Sequence, residues 1–549
     1  MKHKVLKVHP KDNVIVALTN LSKGEAISFE GNEYVLQDNI TAKHKFFTKD
    51  MNEGDEVMMY GVLVGKAQSF IPRGGLMSTS NVKHAAQPYS YRSAKYEWHA
   101  PDVSKFKGRT FNGYHRSDGR VGTANYWLFI PTVFCENRNL DVIREAMHNE
   151  LGYAVTDKYK KFTHHLIEAY NSGEDISGTD IYSVSLSSNG QQKRFFKNVD
   201  GIKFLNHQGG CGGTRQDAGI LGKLLASYAD HPNVAGVTVL SLGCQNLQVQ
   251  DFLNDLKQRV SNFDKPLFIF EQQQSQSEEQ LVADSIKKTF QGLIEVNKQE
   301  RKPATLDKLC VGVKCGGSDG FSGISANPAV GYCADLVVAL GGKVLLAEFP
   351  ELCGVEQELV DRTISKEAAE KFIHLMRTYS EQAARVGSGF HMNPSPGNIK
   401  DGLITDAIKS AGAAKKGGTS PVVDVLDYTE PATKPGLNLV CTPGNDVEAT
   451  TGKAASGATL ILFTTGLGTP TGNPVCPTIK VSTNSNLTKR MNDIIDIDCG
   501  PIVEGDKTIE QMGEEILEYC IKAASGDVIP KAVQLNQDDF IPWKRGVSL

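Results

Sequence analysis

The chain has 549 residues, of which 40% are hydrophobic and 22% are charged, and its formal net charge is −4. This length exceeds what one hydrophobic core usually holds and predicts about three domains of ~100 to 200 residues. The balanced charge excludes the basic excess of a nucleic-acid-binding protein, and no segment approaches the ~20 apolar residues of a membrane span. The first residues lack the apolar stretch of a signal peptide, so we expect a cytoplasmic protein without nucleic-acid or membrane partners.

Short β-like runs fill the first part of the chain. Residues 13–18 and 56–64 are rich in apolar and β-branched side chains, and Gly, Asn and Asp turns separate such runs. Residues 88–107 become polar and aromatic with few aliphatic side chains, which is typical of a linker. The sequence therefore predicts a small all-β domain over residues 1–92 and a linker over residues 93–107.

Strand and helix patterns alternate in the rest of the chain. Apolar runs at 202–205 and 234–242 flank a helical pattern that ends at His231-Pro232. The same alternation recurs further along the chain, with strands predicted at 309–313, 343–347, 437–440 and 459–463. One helix is predicted at 327–340, and another ends at residue 456. This order predicts an α/β fold with two parallel-sheet domains, over residues 108–305 and 306–549.

The most informative segment is the glycine-rich stretch 314–328, which follows a predicted buried strand and leads into a helix. Its four glycines let the backbone approach a ligand, and a helix start favours a carboxylate or phosphate. It lacks both common nucleotide-binding fingerprints. Ligands bind at such strand-to-helix turns, so the segment is predicted to be an active-site loop. A plain connecting loop is the alternative.

The eleven cysteines are too sparse for a disulfide scaffold. Five lie in apolar surroundings and are predicted to be buried and inert: Cys135, Cys310, Cys333, Cys499 and Cys520.

Three other cysteines follow or end predicted strands beside glycine, which is the setting of a functional thiol or metal ligand. They are Cys211, Cys244 and Cys315. His207 precedes Cys211 by four positions, so a shared metal is geometrically feasible. The alternative is a hydrogen-bonded core histidine with inert thiols.

Two polar segments are further candidates. Arg116 and Arg120 lie close to a predicted strand that begins at Tyr126, and the fork of a guanidinium group suits a carboxylate ligand. Structural salt bridges explain the two arginines equally well. The turn 387–397 holds His391, Asn393 and Ser395 beside two prolines, which fix its path and favour binding.

Several motifs, in the same order along nearly the whole chain, resemble the altronate and galactarate dehydratase family. They are Gly-Tyr-x-Arg-x-Asp-Gly at 113–119, His-x-x-x-Cys at 207–211, His-Pro-Asn at 231–233 before Leu-Gly-Cys at 242–244, Lys-Cys-Gly-Gly-Ser-Asp-Gly at 314–320, Asn-Pro-Ser-Pro-Gly-Asn at 393–398, Pro-Gly-Asn-Asp at 443–446 and Gly-Leu-Gly-Thr-Pro at 466–470. The N-terminal module is similar to the SAF domain of this family. Two positions depart from the family pattern: Ser78-Thr79-Ser80 replaces a His-x-His found in many members, and Gln245 replaces a usual Glu.

The resemblance implies a hydro-lyase that converts D-altronate into 2-dehydro-3-deoxy-D-gluconate in hexuronate (galacturonate) catabolism. A divalent metal is implied, Fe²⁺ with Mn²⁺ as the second choice, and the partner is a small sugar acid. Removal of the proton beside a carboxylate builds negative charge, which a metal, an Arg or loop N–H groups can stabilise. The leaving hydroxyl then needs an acid.

Candidate residues follow for each role. Lys314 or His207 is the candidate base, and Asp319 or His391 the candidate acid. Arg116 or Arg120 would hold the carboxylate. The candidate metal ligands are His207, Cys211, Cys244 and Cys315. The remaining candidates for binding substrate hydroxyls are Asn125, Ser318, Ser322, Asn327, Asn393, Ser395 and Asn445.

Four alternatives stay open. Two alternatives are enzymes that would use the same proton abstraction with a different substrate pocket: a galactarate dehydratase, and a lyase that removes sulfite from a sulfonated hydroxy acid. A non-catalytic sugar-acid binding protein would bind without turnover, and an iron–sulfur redox protein would carry a chromophore. Assembly into a homo-oligomer is also left open.

Overall fold

The computed structural model describes residues 3–91, 96–155, 158–182 and 193–548; residues 93–95 of the predicted linker lie outside them. The described chain forms a small β domain, a domain around a four-stranded parallel sheet and a domain around a seven-stranded parallel sheet. The predicted fold class, α/β with an all-β N-terminal domain, is confirmed. In the described segments, none of the helices has the length and apolar character that crossing a membrane requires.

The N-terminal domain is built from eight short strands that pair antiparallel. They are β1 Val5–Leu6, β2 Val14–Ala17, β3 Ala26–Phe29, β4 Asn32–Val35, β5 Lys45–Phe47, β6 Glu56–Met59, β7 Val62–Ala67 and β8 Val82–Lys83. The apolar run at 56–64 is two strands because Tyr60 and Gly61, with φ of 57° and 79°, form a two-residue hairpin turn between β6 and β7.

The middle domain has a small antiparallel sheet and a parallel one. Its strands are β9 Thr110–His115, β10 Val121–Gly122, β11 Tyr126–Pro131, β12 Gly201–Phe204, β13 Val234–Ser241, β14 Leu267–Glu271 and β15 Lys302–Thr305. Its helices are α1 Asn137–Leu151, α2 Lys158–Ser172, α3 Arg215–Asp230, α4 Val249–Arg259 and α5 Glu278–Val296. The parallel sheet has the order β12-β11-β13-β14, and β11 and β13 are buried throughout, as strands covered on both faces are.

The C-terminal domain surrounds a parallel sheet of order β18-β19-β17-β16-β20-β21-β22. The strands are β16 Cys310–Cys315, β17 Lys343–Ala347, β18 Val422–Leu426, β19 Gly436–Val440, β20 Leu460–Thr465, β21 Thr478–Ser482 and β22 Ile497–Asp498. The helices are α6 Ala326–Ala339, α7 Glu356–Asp361, α8 Lys366–Arg385, α9 Pro396–Lys400, α10 Asp406–Ala414, α11 Asp446–Ala455, α12 Ser485–Arg490, α13 Gly500–Glu504, α14 Ile509–Ser525 and α15 Lys531–Gln534. The chain leaves β16 towards β17 but later returns to β20 on the other side, so the strand order reverses between β16 and β20. Ligands of open parallel sheets bind outside the carboxyl ends of the strands at such a point.

The N-terminal domain lies against the glycine-rich loop that follows β16. Lys43 Nζ is 3.0 Å from Asp319 Oδ2 and 3.0 Å from Asp401 Oδ1, and Lys45 Nζ donates to the Gly402 carbonyl at 2.6 Å. A Cβ on Gly323 would lie 2.4 Å from the Tyr60 hydroxyl. The two domains therefore meet at a contact so close that it leaves no room for a side chain.

We expect Gly323→Ala to destabilise the protein by about 1–3 kcal/mol, because the new methyl group overpacks this contact. Gly219→Ala is the matched control: it lies in α3 with open space around its Cβ position, and we expect it to be stabilising by up to about 1 kcal/mol. Urea unfolding followed by circular dichroism measures both. Equal stability of the two variants would contradict the close contact.

Candidate functional site

The carboxyl edge of the seven-stranded sheet carries a buried cluster of charged side chains, here called the lysine cluster. Its members are Lys314, Cys315, Glu348, Glu351, Lys409, Lys416, Asp446 and Lys453. Lys314 and Cys315 end β16, Glu348 directly follows β17, and Asp446 begins α11 after β19. Neighbouring parallel strands thus bring these side chains to one place.

Glu348 is the acidic centre of the lysine cluster. It is fully buried and forms ion pairs with Lys314, with Lys416 at 3.2 Å and with Lys453 at 3.8 Å. Its φ of 73° is left-handed, which is strained for a residue with a Cβ, and its N–H donates to Thr442 Oγ1 at 3.0 Å. Such strain costs about 1–3 kcal/mol and is concentrated at functional sites.

Glu351 and Cys315 form the second half of the lysine cluster. Lys409 Nζ lies 2.9 Å from Glu351 Oε1, Lys416 donates to Cys315 Sγ at 3.2 Å, and Cys315 Sγ lies 3.6 Å from Glu351 Oε2. Burial would raise the pKa of Glu351, but the ammonium groups of Lys409, Lys314 and Lys416 outweigh it and lower the pKa to about 2. Glu351 is therefore a carboxylate at neutral pH.

The lysines of the cluster differ in protonation. Burial would lower the pKa of Lys314, but Glu348, Asp446 and Glu351 raise it well above the usual value, so Lys314 is an ammonium. It is a cation rather than the base that its sequence position suggested. Burial lowers the pKa of Lys453 to about 7, with Glu348 opposing, so an uncharged amine is available there at neutral pH. A site with several cations and one neutral amine can hold a carboxylate and accept a proton.

The predicted active-site loop is held rigidly rather than left open. Asp319 Oδ1 accepts from the Phe321 N–H at 3.2 Å and the Ser322 hydroxyl at 3.0 Å, and Asp319 Oδ2 accepts from Thr483 at 3.1 Å. The Ser318 carbonyl accepts from Asn398 Nδ2 at 2.7 Å. Asp319, Ser318 and Ser322 are buried, and the contacts of Asp319 shape the loop and join it to the N-terminal domain.

Asn327, a candidate for binding substrate hydroxyls, lies in the first turn of α6, which begins at Ala326. Its amide donates to the Gly412 carbonyl at 2.9 Å, and its Oδ1 accepts from Thr464 Oγ1 at 2.6 Å. The buried Asn327 thus joins α6 to α10 and β20.

Three more predicted residues lie around the lysine cluster. Asn393 Oδ1 accepts from Lys409 Nζ at 2.9 Å. Asn445 caps α11 by accepting from the N–H groups of Val447 and Glu448, and Ser395 donates to Asn398 at the start of α9. Of these three side chains, Asn393 is in direct contact with a charged member of the cluster.

His391 lies in a neighbouring cavity of about 670 Å³ between the N-terminal and C-terminal domains. His84, Cys353 and Glu356 also line this cavity. His84, Cys353 and Asp406 form one of two groups of potential metal ligands, within the described residues, whose ligand atoms lie within 4.8 Å of one another; Cys315, Glu348 and Glu351 form the other.

Arg116, Arg120 and Asn125 lie at the wrong end of the sheet for the predicted carboxylate site. Asn125 precedes β11, so it stands at the amino edge, and it accepts from Arg116 at 3.0 Å. Arg120 pairs with Asp230 at 2.6 Å and also with Asp118. The contacts of Arg120 match the salt-bridge alternative, whereas Arg116 donates to uncharged oxygens of Pro232, Gln299 and Asn125.

His207 does not meet Cys315 to form the predicted metal set. Its Nε2 bonds to the Pro131 carbonyl at 2.8 Å, and its Nδ1 accepts from the Gly209 N–H at 3.0 Å, so both ring nitrogens are engaged. Cys315 is buried in the other parallel-sheet domain, where it contacts Lys416 and Glu351. Burial lowers the pKa of His207 to about 4 despite the bond to Pro131, so its ring is neutral at pH 7.

This buried neutral histidine predicts an acid-sensitive contribution to stability. Unfolding restores an ordinary pKa near 6.5, so between about pH 6.5 and 4 the unfolded chain binds one proton more than the folded chain. As the pH is lowered through this range, the free energy of unfolding falls by up to about 1.4 kcal/mol per pH unit. His207→Gln removes this titration. We expect the variant to be less stable at pH 7 and the difference to narrow towards pH 4, measured by urea unfolding. A difference that is constant with pH would contradict this role.

The cysteines divide clearly by exposure, and all eleven lie in the described segments. Cys310, Cys333, Cys499 and Cys520 are buried as predicted. Cys135 was predicted to be buried and is exposed, because it stands just beyond the carboxyl end of β11. Cys211 and Cys244, which follow β12 and β13, are the other exposed cysteines.

A second cavity, of about 420 Å³, lies at this carboxyl edge of the four-stranded sheet. The loop 206–214, Asn137 and Asn246 line it, and residues 540–544 of the C-terminal segment close its other side. Trp543 contacts the ring of Tyr379 at 5.1 Å between centroids, and Tyr379 contacts Phe390 at 5.4 Å. Phe390 lines the cavity of His391, so an aromatic path joins the two cavities.

The sequence interpretation missed most of the lysine cluster. Glu348 and Glu351 directly follow a predicted strand, a position that could have singled them out as Lys314 was. Lys409, Lys416 and Lys453 lie in or beside helices, where a lysine is typical of a solvated surface, so the sequence carried no signal of their burial.

Comparison with known families covers nearly the whole chain. Residues 3–85 match the altronate/galactarate dehydratase SAF domain, residues 113–297 the second domain of D-galactarate dehydratase/altronate hydrolase, and residues 306–548 the C-terminal domain of D-galactarate/altronate dehydratase. The chain is 32% identical to the altronate dehydratase of Bacillus subtilis (strain 168), over 99% of both chains. It is equally identical, over the same shares, to the altronate dehydratase of Escherichia coli (strain K12). Identity to the galactarate dehydratase (L-threo-forming) of Escherichia coli (strain K12) is 30%, over 95% of this chain and 92% of the relative.

Proposed function

The chain belongs to the altronate and galactarate dehydratase family, and we propose that it is the hydro-lyase that removes water from D-altronate to give 2-dehydro-3-deoxy-D-gluconate. The two altronate dehydratases named above match it at slightly higher identity and over larger shares than the galactarate dehydratase does. This reaction would serve hexuronate breakdown in the cytoplasm.

The lysine cluster is the observation that supports this reaction. Loss of the C2 proton of an aldonate leaves a doubly charged enediolate, whose charge must be stabilised where water is excluded. Lys314 and Lys409 are ammonium groups at the carboxyl edge of the sheet, and Lys409 keeps 11% of its side chain exposed. We expect the substrate carboxylate to bind beside them, with Asn393 bonded to a hydroxyl.

Proton transfer needs an unprotonated acceptor, and burial makes Lys453 a lysine of the cluster that can supply one near pH 7. Its Nζ is 3.8 Å from Glu348, which also contacts Lys314, so a proton can be held within one buried group of side chains. His391 remains the candidate for protonating the leaving hydroxyl, because it is exposed on the neighbouring cavity.

The implied divalent metal does not fit the lysine cluster. Glu348 and Glu351 already face the ammonium groups of Lys314, Lys409 and Lys416, and a further divalent cation beside these three would be repelled. His84, Cys353 and Asp406 fit better, because they offer an imidazole, a thiol and a carboxylate within 4.8 Å of one another. This donor set suits Fe²⁺ more than Mn²⁺, and a metal there would act as a Lewis acid beside His391.

The test is formation of a 2-keto acid by the anaerobically purified protein. D-altronate, galactarate and other aldonates are supplied in turn, with added Fe²⁺ and with a chelator. Product from altronate in preference to the other acids is expected. Product from galactarate alone would replace the proposed substrate, and binding without product from any acid would favour the non-catalytic alternative.

A further inference from the structure

The exposed cysteines of this chain share one structural position. Cys135, Cys211 and Cys244 each follow a different strand of the four-stranded sheet, namely β11, β12 and β13, while the other eight cysteines are buried or half-buried. These strands are adjacent and parallel, in the order β12-β11-β13. Their carboxyl ends therefore meet at one edge, and the three loops that carry these exposed cysteines all begin there.

Hydrogen bonds join the three loops next to each cysteine. The Phe134 N–H donates to the Gly209 carbonyl at 3.0 Å, and the Asn246 N–H donates to the Gly210 carbonyl at 2.9 Å. The buried Gln245 side chain donates to Thr132 Oγ1 at 3.1 Å, which ties the loop of Cys244 to the loop of Cys135. The loops are as close as backbone allows, because a Cβ on Gly210 would lie 2.2 Å from the Thr132 carbonyl oxygen.

Two other donor side chains beside this edge, His207 and Asp217, are already engaged. Both ring nitrogens of His207 are hydrogen-bonded. The Asp217 carboxylate, which also lines the cavity of about 420 Å³, accepts from the Thr214 hydroxyl and from the N–H groups of Arg545 and Gly546. In the part of this edge that the structure describes, the three exposed thiols and the buried Glu136 Oε1 remain without such contacts. Three thiols dominate this set, and thiolates select soft metals or iron–sulfur clusters over hard divalent ions.

We propose that Cys135, Cys211 and Cys244 hold an iron–sulfur cluster at the carboxyl edge of the four-stranded sheet. Four-iron clusters normally take four cysteine ligands, so three leave one iron without a protein ligand. That iron would lie beside the cavity lined by Cys211, Asn137 and Asn246, where an oxygen of a hydroxy acid can reach it.

Cluster binding is tested without turnover, so it stands or falls separately from the proposed reaction. The full-length protein is reconstituted anaerobically with Fe²⁺ and sulfide and then desalted. We expect about four iron and four sulfide ions per chain and a broad sulfur-to-iron absorption in the visible range. The triple variant Cys135→Ser, Cys211→Ser, Cys244→Ser should lose the absorption and the bound sulfide, and each single variant should bind less of both.

Cys353→Ser is the reciprocal control. It removes a thiol of the proposed divalent-ion site and should leave sulfide and absorption unchanged. Circular dichroism and the elution volume of the metal-free proteins establish that each variant is folded. Sulfide retained by the triple variant, or wild-type protein that binds iron or zinc without sulfide, would overturn the cluster.

Discussion

Replacement of Glu348 by Gln is expected to lower the free energy of unfolding of the C-terminal domain by about 3–5 kcal/mol. Glu348 is fully buried and is the carboxylate that Lys314, Lys416 and Lys453 share. Gln keeps the shape but not the charge, so buried Lys416 loses its ion pair with Glu348 and Lys314 keeps only its pair with Asp446. Urea unfolding at pH 7 measures the loss.

The control is Glu370→Gln, which removes the same charge from an exposed pair with Lys366 at 3.5 Å. Solvent screens that pair, and we expect a change of at most about 1 kcal/mol. Adding Lys314→Met to Glu348→Gln should restore part of the stability, because it removes one of the unpaired cations. Equal effects of Glu348→Gln and Glu370→Gln would mean that Glu348 does not hold the lysine cluster together.

Lys314→Met is expected to reduce kcat by about 10²–10³-fold in the proposed dehydration, the usual cost of losing one group that stabilises developing negative charge. The protein should remain folded, because Glu348 keeps Lys416 at 3.2 Å and Lys453 at 3.8 Å. Removing a lysine from this cluster is thus far milder for folding than removing its central carboxylate.

Steady-state kinetics distinguish two roles for Lys314. If it stabilises the enediolate, kcat falls; if it only binds the carboxylate of the substrate, KM rises while kcat stays unchanged. Lys366→Met, an exposed lysine of α8, is the matched control and should leave both constants unchanged. Wild-type kinetics in Lys314→Met would exclude the lysine cluster as the catalytic site.

Elements of both parallel-sheet domains could be predicted closely because their apolar runs are bounded by strong signals. β17 spans Lys343–Ala347 as predicted, and α3 ends at Asp230, just before His231-Pro232. The predicted run 56–64 shows the limit of such patterns. Its apolar character continues through Tyr60 and Gly61, so periodicity did not reveal the turn that divides it into β6 and β7.

The site was harder to predict because it depends on contacts between distant residues. The principle that ligands bind at the carboxyl ends of parallel strands singled out Lys314 and Cys315, which the structure places in the lysine cluster. Arg116 and Asn125 were near a strand in sequence, but they lie at its amino end, and adjacency alone does not distinguish the two ends. The burial of Lys416 beside Cys315 depends on how α10 packs and could not be inferred from its neighbours.

The contact of Lys43 with Asp319 has a consequence for how the chain assembles. The glycine-rich loop obtains a counter-charge from a domain that leaves the ribosome long before it. Domains synthesised first generally fold first, so the N-terminal domain can already be formed when the loop emerges. A contact between residues so far apart in sequence forms slowly when both partners are unfolded, because closing the long loop between them costs chain entropy. We therefore expect a circular permutant that begins after the linker and ends with the N-terminal domain to refold to the same structure. During synthesis, however, the folded permutant should form more slowly than the folded wild-type protein.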